Sequence, residues 1–167
     1  DHVIKLDCRS LEYEYVPFKL DGYKILLLNT NVKHNLAASE YNTRRMQCEK
    51  GVSFIRQHYP DIKSLRDVTL DMLKQFVEPF DPLVYQRCKY VVQENGRLAE
   101  ACEDLKRGDI KSLGAKMYQT HNGLRYFYDV SCKELVFLVE YVKNIPEVAG
   151  ARMLGGGFGG CTINLVK

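Results

Sequence analysis

Five glycines stand within six residues near the end of the chain: Gly155, Gly156, Gly157, Gly159 and Gly160, interrupted only by Phe158. Glycine carries no Cβ and visits φ > 0 freely. Such a run between two apolar segments therefore marks a loop shaped for close approach of backbone or ligand. Positions 155, 157 and 160 match G-x-G-x-x-G, the loop that lays a dinucleotide pyrophosphate on a helix N-terminus. That chemistry needs a helix directly after the loop and an acidic residue about twenty positions further on. Here Cys161-Thr162-Ile163-Asn164-Leu165-Val166 follows, which is strand-like, and the sequence ends at Lys167. No Gly-Lys-Ser/Thr follows either, so a Walker-type phosphate loop is excluded. The motif is a glycine-rich turn between two strands.

A second concentration of chemistry lies in residues 29–45, NTNVKHNLAASEYNTRR. Two adjacent arginines, the Ser39-Glu40 pair and Tyr41 are side chains suited to contacting a sugar or a phosphate. A solvated loop followed by a charged helix face is the plainer reading of the same composition. His121 falls on an apolar helical stripe, where a buried, hydrogen-bonded structural histidine is favoured over a catalytic base. There is no H-x-x-x-H, H-E-x-x-H or EF-hand pattern, so no metal-ligating residues are assigned. No Ser/His/Asp or Cys/His set emerges, and no residue of this chain is assigned a catalytic role.

The elements that must position these groups follow from composition and periodicity. With 167 residues the chain suits one domain, or one domain plus a piece of another. A net charge of +3 is too mild to imply nucleic acid. No run reaches the length of a membrane span and no signal peptide opens the chain. The six cysteines are scattered without a C-x-x-C, which points to reduced thiols and a cytoplasmic setting rather than a disulfide framework or zinc site. The chain opens without Met at strand-like residues and stops in or just after another strand, which reads as an excised domain.

Alternation over residues 2–18 predicts two short strands joined by a bend near Arg9-Ser10. Ile4, Leu6 and Cys8 share one face, and Leu11, Tyr13 and Tyr15 another. After an Asp21-Gly22 turn, the run Ile25-Leu26-Leu27-Leu28 suits a strand covered on both faces. A helix is expected from Ala37 or Ser39 to His58, closed by Pro60. Thr69 caps a short helix bearing Leu70, Leu73 and Phe76. Asp81-Pro82 starts a long helix with the seam Val84, Cys88, Val91, Asn95, Leu98, Cys102 and Leu105, ending at Gly108. Asp109 caps the next helix, carrying Ile110, Leu113, Met117, His121, Leu124 and Tyr128. Ser131 and Glu134 form a capping box for the last. Strands follow over residues 147–154 and 161–167. Strands at both ends with helices between them predict an α+β fold: a split, antiparallel, ferredoxin-like sheet with a helical layer, in which the C-terminal strands pair with residues 25–28.

Three segments together resemble the galactokinases. TNVKHNLAASEYNTRRMQCE is similar to their TNVxHxLaxSEYxxRRxqCe segment, and HNGLRYFYDVSCKEL to their helical H-x-S-L-r-x-x-Y-x-V-S-c-x-E-L stretch. GARMLGGGFGGCTINLV resembles the third signature of the galactokinase, homoserine kinase, mevalonate kinase and phosphomevalonate kinase superfamily. The opening IKLDCRSLEYEYVPF looks like the strand pair just after the catalytic aspartate segment. The resemblance covers essentially the whole chain, in order. It implies transfer of the γ-phosphoryl of MgATP to the C1 hydroxyl of galactose, in a cleft between two domains. Residues 1–20 would be the last strands of the N-terminal kinase domain, and residues 21–167 the C-terminal domain. Tyr41 would contact the sugar, and Gly155, Gly156, Gly157, Gly159 and Gly160 would form an active-site loop beside the phosphate-binding loop. ATP and Mg2+ would be held mainly by the N-terminal domain, which would be the partner of this one.

Three positions depart from the family pattern: Leu154 stands for Thr, Ala151 for Ser and Gly123 for Ser. Two family elements are absent from the 167 residues. One is the sugar-binding segment with its Arg, Glu, His and Asp; the other is the G-L-S-S-S-A-type phosphate loop. The chain alone is therefore expected to be inactive. Two alternatives stay open for the whole protein: a non-catalytic galactokinase-like sensor or interaction protein, and a kinase for N-acetylgalactosamine, arabinose or galacturonate.

Overall fold

The computed structural model describes residues 2–32 and 37–167, with the side chains of residues 37–39 outside the description. Residues 33–36 of the polar segment, and the side chain of Ser39 within it, thus lie outside the described residues. Strand β1 (His2–Leu6) pairs antiparallel with β2 (Tyr13–Pro17), with Ile4 opposite Tyr15 and Leu6 opposite Tyr13. A separate three-stranded antiparallel sheet has the order β3-β5-β4, built from β3 (Lys24–Asn29), β4 (Val148–Met153) and β5 (Cys161–Val166). Between β3 and β4 run the helices α1 (Ala37–Arg56), α2 (Leu70–Phe76), α3 (Pro82–Arg107), α4 (Ile110–Gly123) and α5 (Lys133–Val142). The expected α+β class holds; of the two C-terminal strands expected to pair with residues 25–28, β5 does so antiparallel, while β4 joins the sheet through β5.

The helix ends form where their capping chemistry places them. The Thr69 hydroxyl accepts the Met72 amide at 3.2 Å, and Asp81 Oδ1 accepts the Val84 amide at 3.0 Å, with Pro82 at the first helical position. Gly108 ends α3 at φ 68, the left-handed geometry a glycine tolerates best, and Asp109 caps α4 through the Ser112 amide at 3.0 Å. Helix α4 continues into a π turn over Leu124–Tyr128, which Asp129 terminates at φ 58. The capping box expected for α5 is not formed. Cys132 is the N-cap without a side-chain bond, and the Ser131 hydroxyl is buried with no partner.

One apolar cluster joins α1, α2 and α3 through Val52, Ile55, Leu73, Val77, Val84 and Cys88. Others lie where α4 and α5 cover the sheet: Ile110 and Met117 against Leu165, and Val139 and Val142 against Ala151. Helix α4 lies so close to β4 that a Cβ on Gly114 would run into the carbonyl of Ala149, and one on Gly150 into the Gly114 backbone. His121 strengthens the same junction, its Nδ1 accepting the Met153 amide at 3.3 Å.

Three sequence expectations are corrected. In the β1–β2 hairpin the register puts Ile4 and Leu6 on the same face as Tyr15 and Tyr13, not on a separate one; all four are exposed, and Val16 on the other face is buried. The run in β3 is not covered on both faces: Ile25, Leu26 and Leu27 are 44%, 46% and 54% exposed, while Leu28 packs against a core cluster. Asn95 is exposed rather than set in the α3 seam, and Leu98 beside it is exposed as well.

The burial of His121 has a pH consequence. Loss of hydration, with the nearby Arg125 charge second, depresses its pKa from 6.5 to about 4. A depressed histidine leaves the folded state binding fewer protons than the unfolded one below pH 6.5. Its contribution is thus whole above that value and lost as pH falls toward 4. Between pH 7 and 5 the loss is about 2 kcal/mol. Denaturant unfolding at the two pH values should show this fall in the natural sequence and a much smaller one in His121→Gln. Equal falls in the two proteins would refute the assignment.

Candidate active-site wall

The glycine turn joins β4 to β5, with the Leu154 amide on the Cys161 carbonyl at 2.9 Å closing its neck. Gly155, Gly157, Phe158, Gly159 and Gly160 all have positive φ, a path that a run of side-chain-bearing residues cannot follow without strain. Two neighbours hold it. On one side the Phe158 amide donates to the Val130 carbonyl at 2.7 Å, and a Cβ on Gly157 would collide with that same oxygen. On the other, the Thr30 amide and hydroxyl both donate to the Gly160 carbonyl at 2.8 Å, and a Cβ on Gly159 would sit 2.8 Å from the Val32 carbonyl. Phe158 packs with Val130, Leu135 and Met153 beneath the turn.

Gly156 stands apart. Its φ is not positive, and a Cβ added to it would meet nothing within 4 Å. Gly155 has equally open surroundings, although its φ of 84 asks for glycine. Among the described residues neither makes a hydrogen bond. Packing inside this chain explains Gly157 and Gly159, and it leaves a bare, exposed backbone face at 155–156. Such a face suits the approach of another backbone, or of an anion that takes up free N–H groups.

Helix α1 is linked to the support of this turn through Arg44, which donates to the carbonyls of Tyr128 and Asp129 just before Val130. Tyr41, in its first turns, is 62% exposed. The arginine pair of the sequence divides. Arg45 points outward to Glu49 at 2.8 Å, while Arg44 is buried and reaches the end of the π turn. There it meets Arg87 of α3 and the carboxylate of Asp129, a cluster the sequence reading missed. A signal existed: 84, 87, 88 and 91 share one helical stripe, so Arg87 falls within the apolar seam it was left out of.

The structure also brings Cys48 and Cys88 together between α1 and α3. All six cysteines are free thiols. A hydrogen bond from Cys88, helped by one from Tyr128 and by the charge of Arg87, draws the Cys48 thiol below its ordinary value. His121 is a structural, neutral histidine, as its stripe implied. The departures from the family pattern have local reasons at two positions. Ala151 is fully buried against Val139 and Val142, and a Cβ on Gly123 would strike the ring of Tyr90. Leu154 is partly exposed at the neck of the turn, and nothing in the structure explains its choice.

Comparison with known proteins shows what this geometry is similar to. Residues 100–167 match the family described as GHMP kinases C terminal. The whole chain is 44% identical to a galactokinase of Thermotoga maritima over 167 residues, and 42% identical to the Homo sapiens galactokinase over 166 residues. It covers 45% and 41% of those proteins, so it spans less than half the length of the curated relatives it matches. Its structure aligns with that of Lactococcus lactis galactokinase complexed with galactose at a TM-score of 0.90 and 34% identity. That alignment covers 99% of this chain and 42% of the other. A mevalonate kinase from L. major, in complex with R-mevalonate, aligns at a TM-score of 0.57 and 21% identity, a likeness of fold.

The turn yields a paired prediction. Gly157→Ala pushes a methyl into the Val130 carbonyl and should cost about 2 kcal/mol or more of stability. Gly156→Ala, facing open space, should change stability by less than about 0.5 kcal/mol. Denaturant titration of the two variants checks the contrast. A Gly156→Ala variant as destabilised as Gly157→Ala would show that the open face is not open.

Proposed function

We propose that the full-length protein in which this chain occurs is a galactokinase-type sugar 1-kinase, transferring the γ-phosphoryl of ATP to the C1 hydroxyl of galactose. The observation that carries the proposal is the bare face at Gly155 and Gly156, glycines whose surroundings in this chain leave room for side chains. That face fits the backbone of a phosphate-binding loop brought up from another domain. The 39–44% identity of the leading galactokinases along this chain, and the galactose held by the similar Lactococcus lactis enzyme, support the choice of sugar.

In this reading Gly155, Gly156, Gly157, Gly159 and Gly160 line the active site, and Tyr41 offers its exposed ring and hydroxyl to the sugar. Residues 1–20 belong with the N-terminal kinase domain and residues 21–167 form the C-terminal domain. The exposed apolar face of the β1–β2 hairpin, which shares no hydrogen bonds with the other sheet, supports that division. ATP use follows from the GHMP kinase family. Mg2+ when bound would neutralise phosphate charge during transfer. Among the described residues no group of three His, Cys, Asp or Glu side chains fits a metal ion. This chain's own contribution is positional: it holds the sugar-facing helix beside a turn that leaves room for phosphates, and positioning supplies much of the catalysis in phosphoryl transfer. The free thiols suit a cytoplasmic enzyme.

The full-length protein with galactose and MgATP should form galactose 1-phosphate, and Tyr41→Ala should raise its KM for galactose by about tenfold. The isolated 167-residue chain should form none. Faster turnover of N-acetylgalactosamine, arabinose or galacturonate than of galactose would replace the substrate. Sugar binding without turnover would make the protein a sensor.

A further inference from the structure

Two arginines from different helices end on three consecutive carbonyls, those of residues 127–129. Arg44 donates through Nε to the Tyr128 carbonyl at 2.6 Å and through Nη2 to the Asp129 carbonyl at 2.7 Å. Arg87 donates through Nη1 to the Phe127 carbonyl at 2.5 Å. These are the carbonyls that the end of a helical segment leaves without partners. Both arginines are almost fully buried. Between them stands one carboxylate: Asp129 Oδ2 accepts from Arg87 Nη2 at 3.0 Å and from Arg44 Nη2 at 3.3 Å. Glu40, one turn earlier on α1, gives Arg44 a second carboxylate at the same 3.3 Å.

The backbone at Asp129 is left-handed, with φ 58 and ψ 57. Glycine fits that geometry with less strain and asparagine at least as well. If capping the π turn were the only task, the carboxylate would serve no purpose. Its charge stands between two neighbouring buried guanidinium groups, of which Arg44 also has Glu40, and burial together with the Arg44 charge draws the Arg87 pKa down. The next residue, Val130, is the one whose carbonyl holds Phe158 and against which Gly157 lies. Back along α1, Arg44 is three residues from Tyr41, on the neighbouring turn.

We propose that Asp129 is a positioning residue for phosphoryl transfer. By holding Arg44 and Arg87 on one carboxylate, it fixes the Tyr41 end of α1 in register with the glycine turn, so that the sugar-facing and phosphate-facing walls keep one geometry. This rests on the galactokinase-type reading of the site.

The test uses the full-length protein with Asp129→Asn, which keeps shape and backbone preference but removes the charge. Asp129→Gly relaxes the backbone and removes the carboxylate, and Asp129→Glu keeps the charge. Steady-state kinetics with galactose and MgATP are read together with hydrogen exchange across residues 154–160. Asn and Gly should raise the galactose KM at least about tenfold, leave the ATP KM within about twofold, and speed exchange at the Phe158 amide. Glu should return both readings toward the natural protein. If Asn fails to fold, Gly carries the same comparison. Natural galactose KM and natural Phe158 exchange in Asn or Gly would overturn the proposal, as would a loss that follows only the fraction of unfolded protein. Should the natural protein phosphorylate no sugar, the functional reading falls by itself, and exchange at Phe158 still decides whether Asp129 holds the turn.

Discussion

The hydrogen bond from the Phe158 amide to the Val130 carbonyl, at 2.7 Å, passes through a space that only a glycine at 157 leaves open. A turn with five positive-φ residues, one of them Phe158, has little internal reason to hold a single shape. Its shape comes from outside: Val130 at the end of the π turn, Thr30 at the exit of β3, and the Phe158 ring set on Leu135 and Met153. Each anchor comes from a different part of the chain. The turn is therefore defined only when α4, α5 and the sheet are all assembled, and a change at any one of them reaches the turn as a displacement.

Polar burial follows the same logic. The cluster that joins α1, α2 and α3 is almost wholly apolar and supplies stability in the ordinary way. Around the turn and its supports, by contrast, the buried side chains include Arg44, Arg87, His121, Thr162 and Asn164. Asn164 donates to the Leu26 carbonyl at 3.0 Å and to the Thr162 hydroxyl at 3.1 Å, fixing β3 against β5. Groups of this kind add little net stability compared with well-packed apolar ones, because their desolvation offsets what their hydrogen bonds return. They do penalise misplacement heavily, since a shifted partner leaves a donor or acceptor buried and unpaired. The chain thus places apolar packing where it needs strength and polar packing where it needs one geometry.

Most element ends were legible because they rest on local chemistry. Asp81-Pro82, Gly108, Asp109 and Thr69 act within a turn of their own position, and a sequence displays that directly. The α+β order and the strand-to-strand nature of the glycine turn were legible for a similar reason, since periodicity changes on either side of them. What failed depends on non-local partners. Ser131 lost its expected cap role to Cys132, and Asn95 looked inward only because a heptad-like seam was extended across it. The Arg44–Asp129–Arg87 cluster joins residues from three elements, and no spacing rule links them. Tyr41 and the five glycines of the turn came from resemblance and pattern together. The structure adds which glycines the chain itself requires and which one it does not.

The misreading of β3 has a different origin. Ile25, Leu26, Leu27 and Leu28 form the pattern of a strand buried on both faces. In this chain the strand is an edge, with its apolar side chains exposed and little but Lys24 to discourage pairing. Natural sheets guard open edges with charge, proline or bulges, and β3 has almost none of these. The exposed face of the hairpin, with Ile4, Leu6, Tyr13 and Tyr15, and the stacked Phe137 and Tyr141 on α5 repeat the mismatch. Sequence hydrophobicity records the environment in which a chain was selected, while burial records the environment in which it is seen. Where the two disagree over several contiguous surfaces, and the chain spans less than half of its relatives, these surfaces are suited to being covered by more protein than the 167 residues supply.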